Sequence, residues 1–171
     1  MQIEYKTSTM HLEDMPLDIG YASEKVTLED EGGNDTELGG HNGKTQLIIS
    51  ASFIDDDLID ELKKIDADLP KGGEYEVTAH LVVANDKHTD PQLENIKFLI
   101  DTKEEFSDFY GTKLSGGTHD SELTKAIILI SKDGAIFYDE FKNNLEDKFN
   151  TDTLARKILA AQTCYTGKGC H

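Results

Sequence analysis

This 171-residue chain has only two cysteines, Cys164 and Cys170, and both fall in its last eight residues. A secreted domain stapled by disulfides spreads its cysteines through the fold, so the body of this chain folds without covalent help. No window reaches the roughly 18 consecutive apolar residues of a membrane helix. Met1 to Met10 is polar and lacks the apolar core of a signal peptide, so a cytoplasmic location is the expectation. Bases are scarce: 17 Lys and Arg stand against 34 Asp and Glu, a formal charge of -17. Such a surface repels phosphate backbones, which argues against nucleic acid as a partner.

What is there reads as one α/β domain. Apolar residues at 37% and charged residues at 30% suit a chain with a sizeable core. Residues 1–12 alternate weakly as a strand, and Asp14-Met15-Pro16 makes a turn into a second around Leu17–Ile19. Val26 to Leu28 is a short strand; Glu29 to Gly43, with five glycines, is turn and loop. Gln46 to Ser50 is a β-branched, apolar run that suits a buried central strand. Asp55, Asp56 and Asp57 precede Leu58, Ile59, Leu62 and Ile65 at helical spacing, and acids in a first turn complement the helix dipole. Pro70 to Gly73 ends that helix. Glu76 to Ala84 and Ile96 to Ile100 are further strands, and Lys103 to Tyr110 is a short helix presenting Phe106, Phe109 and Tyr110 to the core. Gly111 to Ser121 is loop. Ala126 to Ile130 is the strongest strand, and Lys132-Asp133-Gly134 turns it into Ile136 to Tyr138. Asp152 to Ala161 is a last helix with Leu154, Ile158 and Leu159 inward. That leaves a body of residues 1–162 and a tail of residues 163–171, whose two glycines and few apolar groups suit flexibility. A βαβ crossover followed by ββα is the thioredoxin-like arrangement: a central mixed sheet flanked by helices, here with an N-terminal β-hairpin.

Four segments resemble the thiol peroxidases, the atypical two-cysteine peroxiredoxins, from about Thr7 to Ala161. Leu12 to Leu17 resembles the family's N-terminal hairpin and turn, and Leu38-Gly39-Gly40-His41-Asn42-Gly43-Lys44 the lead-in to its first core strand. Ser52-Phe53-Ile54-Asp55 resembles the opening of its active-site loop, and Lys125 to Asp139 its long strand, turn and return strand. The resemblance implies a homodimer and a thioredoxin-like reductant as partners. It also implies a Thr, a peroxidatic Cys and an Arg, which hold and stabilise the thiolate that attacks peroxide. Those positions read Asp56, Ile59 and Lys125, and the resolving Cys falls near His88. Isoleucine cannot attack peroxide, Asp56 is an anion where an anion needs stabilising, and Lys125 lacks the planar fork. The expectation is a pseudo-peroxidase pocket, without ordinary thiol peroxidase activity.

Other clusters have modest readings. Asp55 to Asp57 are oxygen donors for calcium or magnesium, but neighbours at a helix start diverge, which favours capping. His80 reads as a core or sheet-face residue. His11, His41, His88 and His119 lie in separate segments and read as surface histidines. Gly32-Gly33 and Gly116-Gly117 lack the strand–loop–helix setting of a phosphate loop. The tail is the chemically distinctive segment. Its glycines let Cys164 and Cys170 meet as a redox dithiol, and Lys168 and His171 favour the thiolate. Cys164, Cys170 and His171 also form a partial zinc or copper site. Cys170-His171 matches the end of a covalent haem motif whose cysteine spacing this tail lacks, and idle thiols are the remaining alternative. No cofactor is required by the body. Two function classes stay open: a thiol-redox protein acting through the Cys164/Cys170 pair, and a non-enzymatic module whose tail binds a metal or partner.

Overall fold

The strongest apolar runs become the middle of one sheet. The computed structural model describes residues 1–163. In chain order its elements are β1 (Gln2–Tyr5), β2 (Ser8–Leu12), β3 (Val26–Glu29), β4 (Asp35–Leu38), β5 (Thr45–Ser50), α1 (Asp56–Asp68), β6 (Val77–Val83) and β7 (Ile96–Ile100). Then follow α2 (Glu105–Tyr110), β8 (Leu114–Ser115), β9 (Ala126–Ile130), β10 (Ile136–Phe141) and α3 (Thr151–Thr163), with short 3₁₀ turns at Gly73–Tyr75 and Gly117–His119. Seven strands form the main sheet in the order β10-β9-β5-β6-β7-β3-β4, and β1-β2-β8 form a small second one. β5, β6 and β7 run parallel, while β9 and β3 flank them antiparallel. The two strongest apolar runs, in β9 and β5, are neighbours there, with β6 on the other side of β5.

β5 is buried along its whole length because both faces are covered. Leu47 and Ile49 pack with Leu58, Leu62 and Ile65 of α1 and with Leu154 and Ile158 of α3. Ile48 faces the other way, against Val82, Leu99, Phe106 and Tyr110. The hairpin carries a third cluster of Ile3, Met10, Leu12, Leu114 and Leu145. Polar clips fix the helices. Leu58 N donates to Asp55 Oδ1 at 2.8 Å and caps α1, while buried Asp66 accepts from Glu94 N and Asn95 N. At the end of α3, Thr45 Oγ1 donates to Gln162 Oε1 and Gln162 Nε2 donates to the Tyr75 carbonyl, at 2.9 and 2.8 Å. Gly39 has φ +83°, and a Cβ there would sit 2.1 Å from the Glu24 carbonyl oxygen, so the close chain crossing needs glycine.

Several local expectations are corrected. The N-terminal hairpin turns at Lys6-Thr7 within residues 1–12, and Leu17–Ile19 is not a strand. The glycine-bearing stretch after Glu29 contains β4, because the tight turn through Gly32-Gly33 lets the chain double back on β3. The stretch after Gly111 contains β8. Phe109 and Leu159 are not core: they are 47% and 65% exposed, each one residue off its helix's buried stripe. α3 includes Thr163, the first residue assigned to the tail.

His80 lies on β6 opposite Ile48 and Lys97, and its Nδ1 is buried without a hydrogen-bond partner. Burial, reinforced by the Lys97 charge, pushes its pKa down to about 4. The unfolded chain therefore takes up this proton near pH 6.5 and the folded chain only near pH 4. Its effect is absent above about pH 6.5, and stability falls by about 3 kcal/mol as the pH drops to about 4. Urea denaturation at pH 7 and 4.5 should show the loss, and His80→Gln should flatten that part of the profile. An equally steep profile in the variant would exclude His80 as its source.

Candidate functional site

The loop leaving β5 and the first turn of α1 enclose a small pocket of about 30 Å³, lined by Ser52, Phe53, Asp55, Leu58, Glu61 and Lys125 among others. Ser52 Oγ donates to the Leu123 carbonyl, which fixes the loop to the segment before β9. Beneath it, Lys125 Nζ lies 2.9 Å from Glu61 Oε2, and each side chain is 8% exposed. Lys125 Nζ also donates to the Asp147 carbonyl at 2.6 Å and stands 4.8 Å from the Phe149 ring centre. The second Glu61 oxygen accepts from Phe149 N at 2.6 Å. Each charge thus has its counter-ion and a backbone partner, the condition under which burying an ion pair is tolerable.

The residues singled out from sequence divide sharply. Lys125 is in the pocket and buried. Asp56 is exposed at the helix start, and Ile59 is half-buried and outside the lining; Leu58, one residue earlier, faces the pocket. Asp55, not Asp56, makes the helix cap. Cys164, Cys170 and His171 lie outside the described residues. Among the described residues, no group of three or more His, Cys, Asp or Glu is placed to hold a metal ion. Glu61 went unnoticed in the sequence. Its signal was its place among Leu58, Leu62 and Ile65, a carboxylate on an otherwise apolar stripe.

A second polar cluster flanks the pocket, and it corrects the reading of two histidines as lone surface groups. His88 Nε2 lies 2.8 Å from Glu122 Oε2, with side chains 14% and 17% exposed, and Asn85 Nδ2 donates to Glu122 Oε1. His119 joins Tyr5 and Phe53 in a three-ring contact with centroids 4.8 to 5.2 Å apart. Burial holds His119 below the usual imidazole range; Glu122 opposes that shift and His88 adds to it. Phe53 belongs to both groups, so the cluster braces the N-terminal hairpin against the pocket loop.

A sheet of this order, with its pocket beyond the carboxyl end of β5, has the peroxiredoxin-like form of the thioredoxin fold. A peroxiredoxin-like protein from Aquifex aeolicus superposes with a TM-score of 0.78 at 17% identity, covering 94% of this chain and 96% of that one. The thiol peroxidase from Chromobacterium violaceum gives 0.77 at 17% identity, with 94% and 97% covered. AhpC from Mycobacterium tuberculosis gives 0.65 at 15%, with 87% and 95% covered. No family model and no curated protein matches the chain by sequence. The shared property is the fold.

Removing one member of the buried pair should be costly. Lys125→Met leaves the Glu61 carboxylate buried without its counter-ion and the Asp147 carbonyl without its donor, a loss of about 3–5 kcal/mol. In the double variant Glu61→Gln/Lys125→Met, the amide oxygen still accepts from Phe149 N and most of the loss should return. Urea denaturation of both variants measures the difference; a single variant as stable as wild type would contradict the assignment.

Proposed function

We propose that this peroxiredoxin-like chain is a thiol-redox protein that carries its chemistry on Cys164 and Cys170 and leaves its pocket chemically silent. One observation carries the reading: among the described residues, the pocket has neither a thiol nor a free cation. No cysteine precedes Cys164, Leu58 stands over the pocket from the first turn of α1, and Lys125 is engaged by Glu61 and Asp147. In the reaction a partner thiolate attacks one sulfur of the Cys164–Cys170 disulfide, and the other sulfur leaves as a thiolate and takes up a proton. The partner's second thiolate then resolves the mixed disulfide. Two electrons and two protons pass to this chain, and the partner becomes a disulfide.

The alternative is a non-enzymatic module with zinc or copper on Cys164, Cys170 and His171; the thiols and imidazole are suitable donors. Intact mass and metal content separate the two. Protein purified without added oxidant should be lighter by about 2 Da than the reduced chain, and a mild reductant should reverse this. Stoichiometric zinc or copper would assign the tail to metal binding instead. Peroxide consumption with a thioredoxin system should remain at background. Turnover that persists in Cys164→Ser/Cys170→Ser would place the chemistry in the pocket and overturn the proposal.

A further inference from the structure

α1 and α3 lie side by side over the sheet, and an open groove of about 220 Å³ runs between them. Ile65, Asp68 and Pro70 line one wall, and Leu154, Ala155 and Ile158 the other. Leu159, 65% exposed, stands at the rim. An exposed leucine beside an apolar groove invites a partner, and the direction of α3 identifies which kind. The helix is pinned at Gln162 by Thr45 and the Tyr75 carbonyl, so Thr163, about one helical turn beyond Leu159, has a fixed place on the body. Cys164 follows at once, and Cys170 is at most about 25 Å of extended chain beyond Thr163. Any protein that exchanges with this pair must come within about 25 Å of Thr163, a range that includes the last turns of α3. The groove supplies a largely apolar surface there, with Asp68 the one charged residue of its lining.

We infer that the groove between α1 and α3, with Leu159 at its rim, is the docking surface for a dithiol protein that reduces the Cys164–Cys170 disulfide. The inference rests on the thiol-redox reading above. The partner presents an apolar rim around its own reactive dithiol; Leu159 and Ala155 cover that rim while its thiolate attacks the tail disulfide. The electron and proton balance is that of the exchange already written.

The test compares two reductants acting on the oxidised full-length chain. Thioredoxin, regenerated by its reductase and followed by NADPH loss, must dock; dithiothreitol need not. Leu159→Glu puts a charge in the apolar contact at an exposed position, and circular dichroism and thermal melting establish that it folds. The expected result is reduction by thioredoxin about tenfold slower than wild type, with dithiothreitol reduction within twofold. Ala155→Glu should do the same. Equal thioredoxin rates in wild type and both variants would overturn the docking surface. Slowing with both reductants would mean that the substitution acts on the disulfide itself, which also overturns it. A wild-type dimer that Leu159→Glu dissociates in sedimentation would assign the face to a second copy of this chain. Absence of any reducible disulfide in the wild type would overturn the thiol-redox reading, and the docking inference with it.

Discussion

A buried ammonium and a buried carboxylate, Lys125 and Glu61, meet where three segments join: the entrance to β9, the first half of α1 and the turn before α3. In a low-dielectric interior neither charge is tolerable alone, so the three segments have one joint arrangement. A hydrophobic pair of similar volume could fill the same space, but it would leave the Phe149 N–H and the Asp147 carbonyl without partners. What the pair enforces is therefore register as much as stability. The pocket above it inherits that rigidity, and an anion entering it would compete with Glu61 for Lys125 at 2.9 Å.

The same geometry gives the molecule two chemically distinct ends. The pocket, the His88–Glu122 pair and the Tyr5–Phe53–His119 contact gather beyond the carboxyl end of β5. Gln162 binds Thr45, the first residue of β5, at the opposite end. Six residues of strand separate the two by roughly 17 Å. α3 runs from the pocket end toward the far end, so Thr163, its last residue, lies far from the pocket.

Much of this was legible in the sequence where one physical effect dominated. Ala126 to Ile130 and Gln46 to Ser50 are too apolar to be anything but central strands, and Asp55 at the start of an apolar stripe had to cap it. Weak signals misled where two effects were balanced. Asp35–Leu38 has a polar, edge-strand composition, so its pairing with Val26–Glu29 depends on a turn and on a long-range partner that local sequence does not display. Phe109 and Leu159 are apolar and still exposed, since helical phase, not hydrophobicity, decides which way a residue faces. The site was half legible. Lys125 stands immediately before an apolar run, but its partner Glu61 lies 64 residues away and only the crossover brings them together. Likewise His88 and Glu122 belong to separate loops that meet above β6 and β9, and no spacing rule connects them.

Charge shapes how such a molecule meets others. At -17 it repels most acidic proteins at long range, but screening confines that repulsion to about 8 Å at physiological ionic strength. Inside that distance, local composition takes over. Around the end of α3 the groove offers Leu159 and Ala155 with Asp68 on its other wall, so contact there removes apolar area from water beside one carboxylate. Around the start of α1, by contrast, a partner meets Asp55, Asp56 and Asp57 in succession. The two ends of the helix layer therefore differ in what they present: three successive carboxylates at the start of α1, and an apolar groove with a single carboxylate in its lining between α1 and α3.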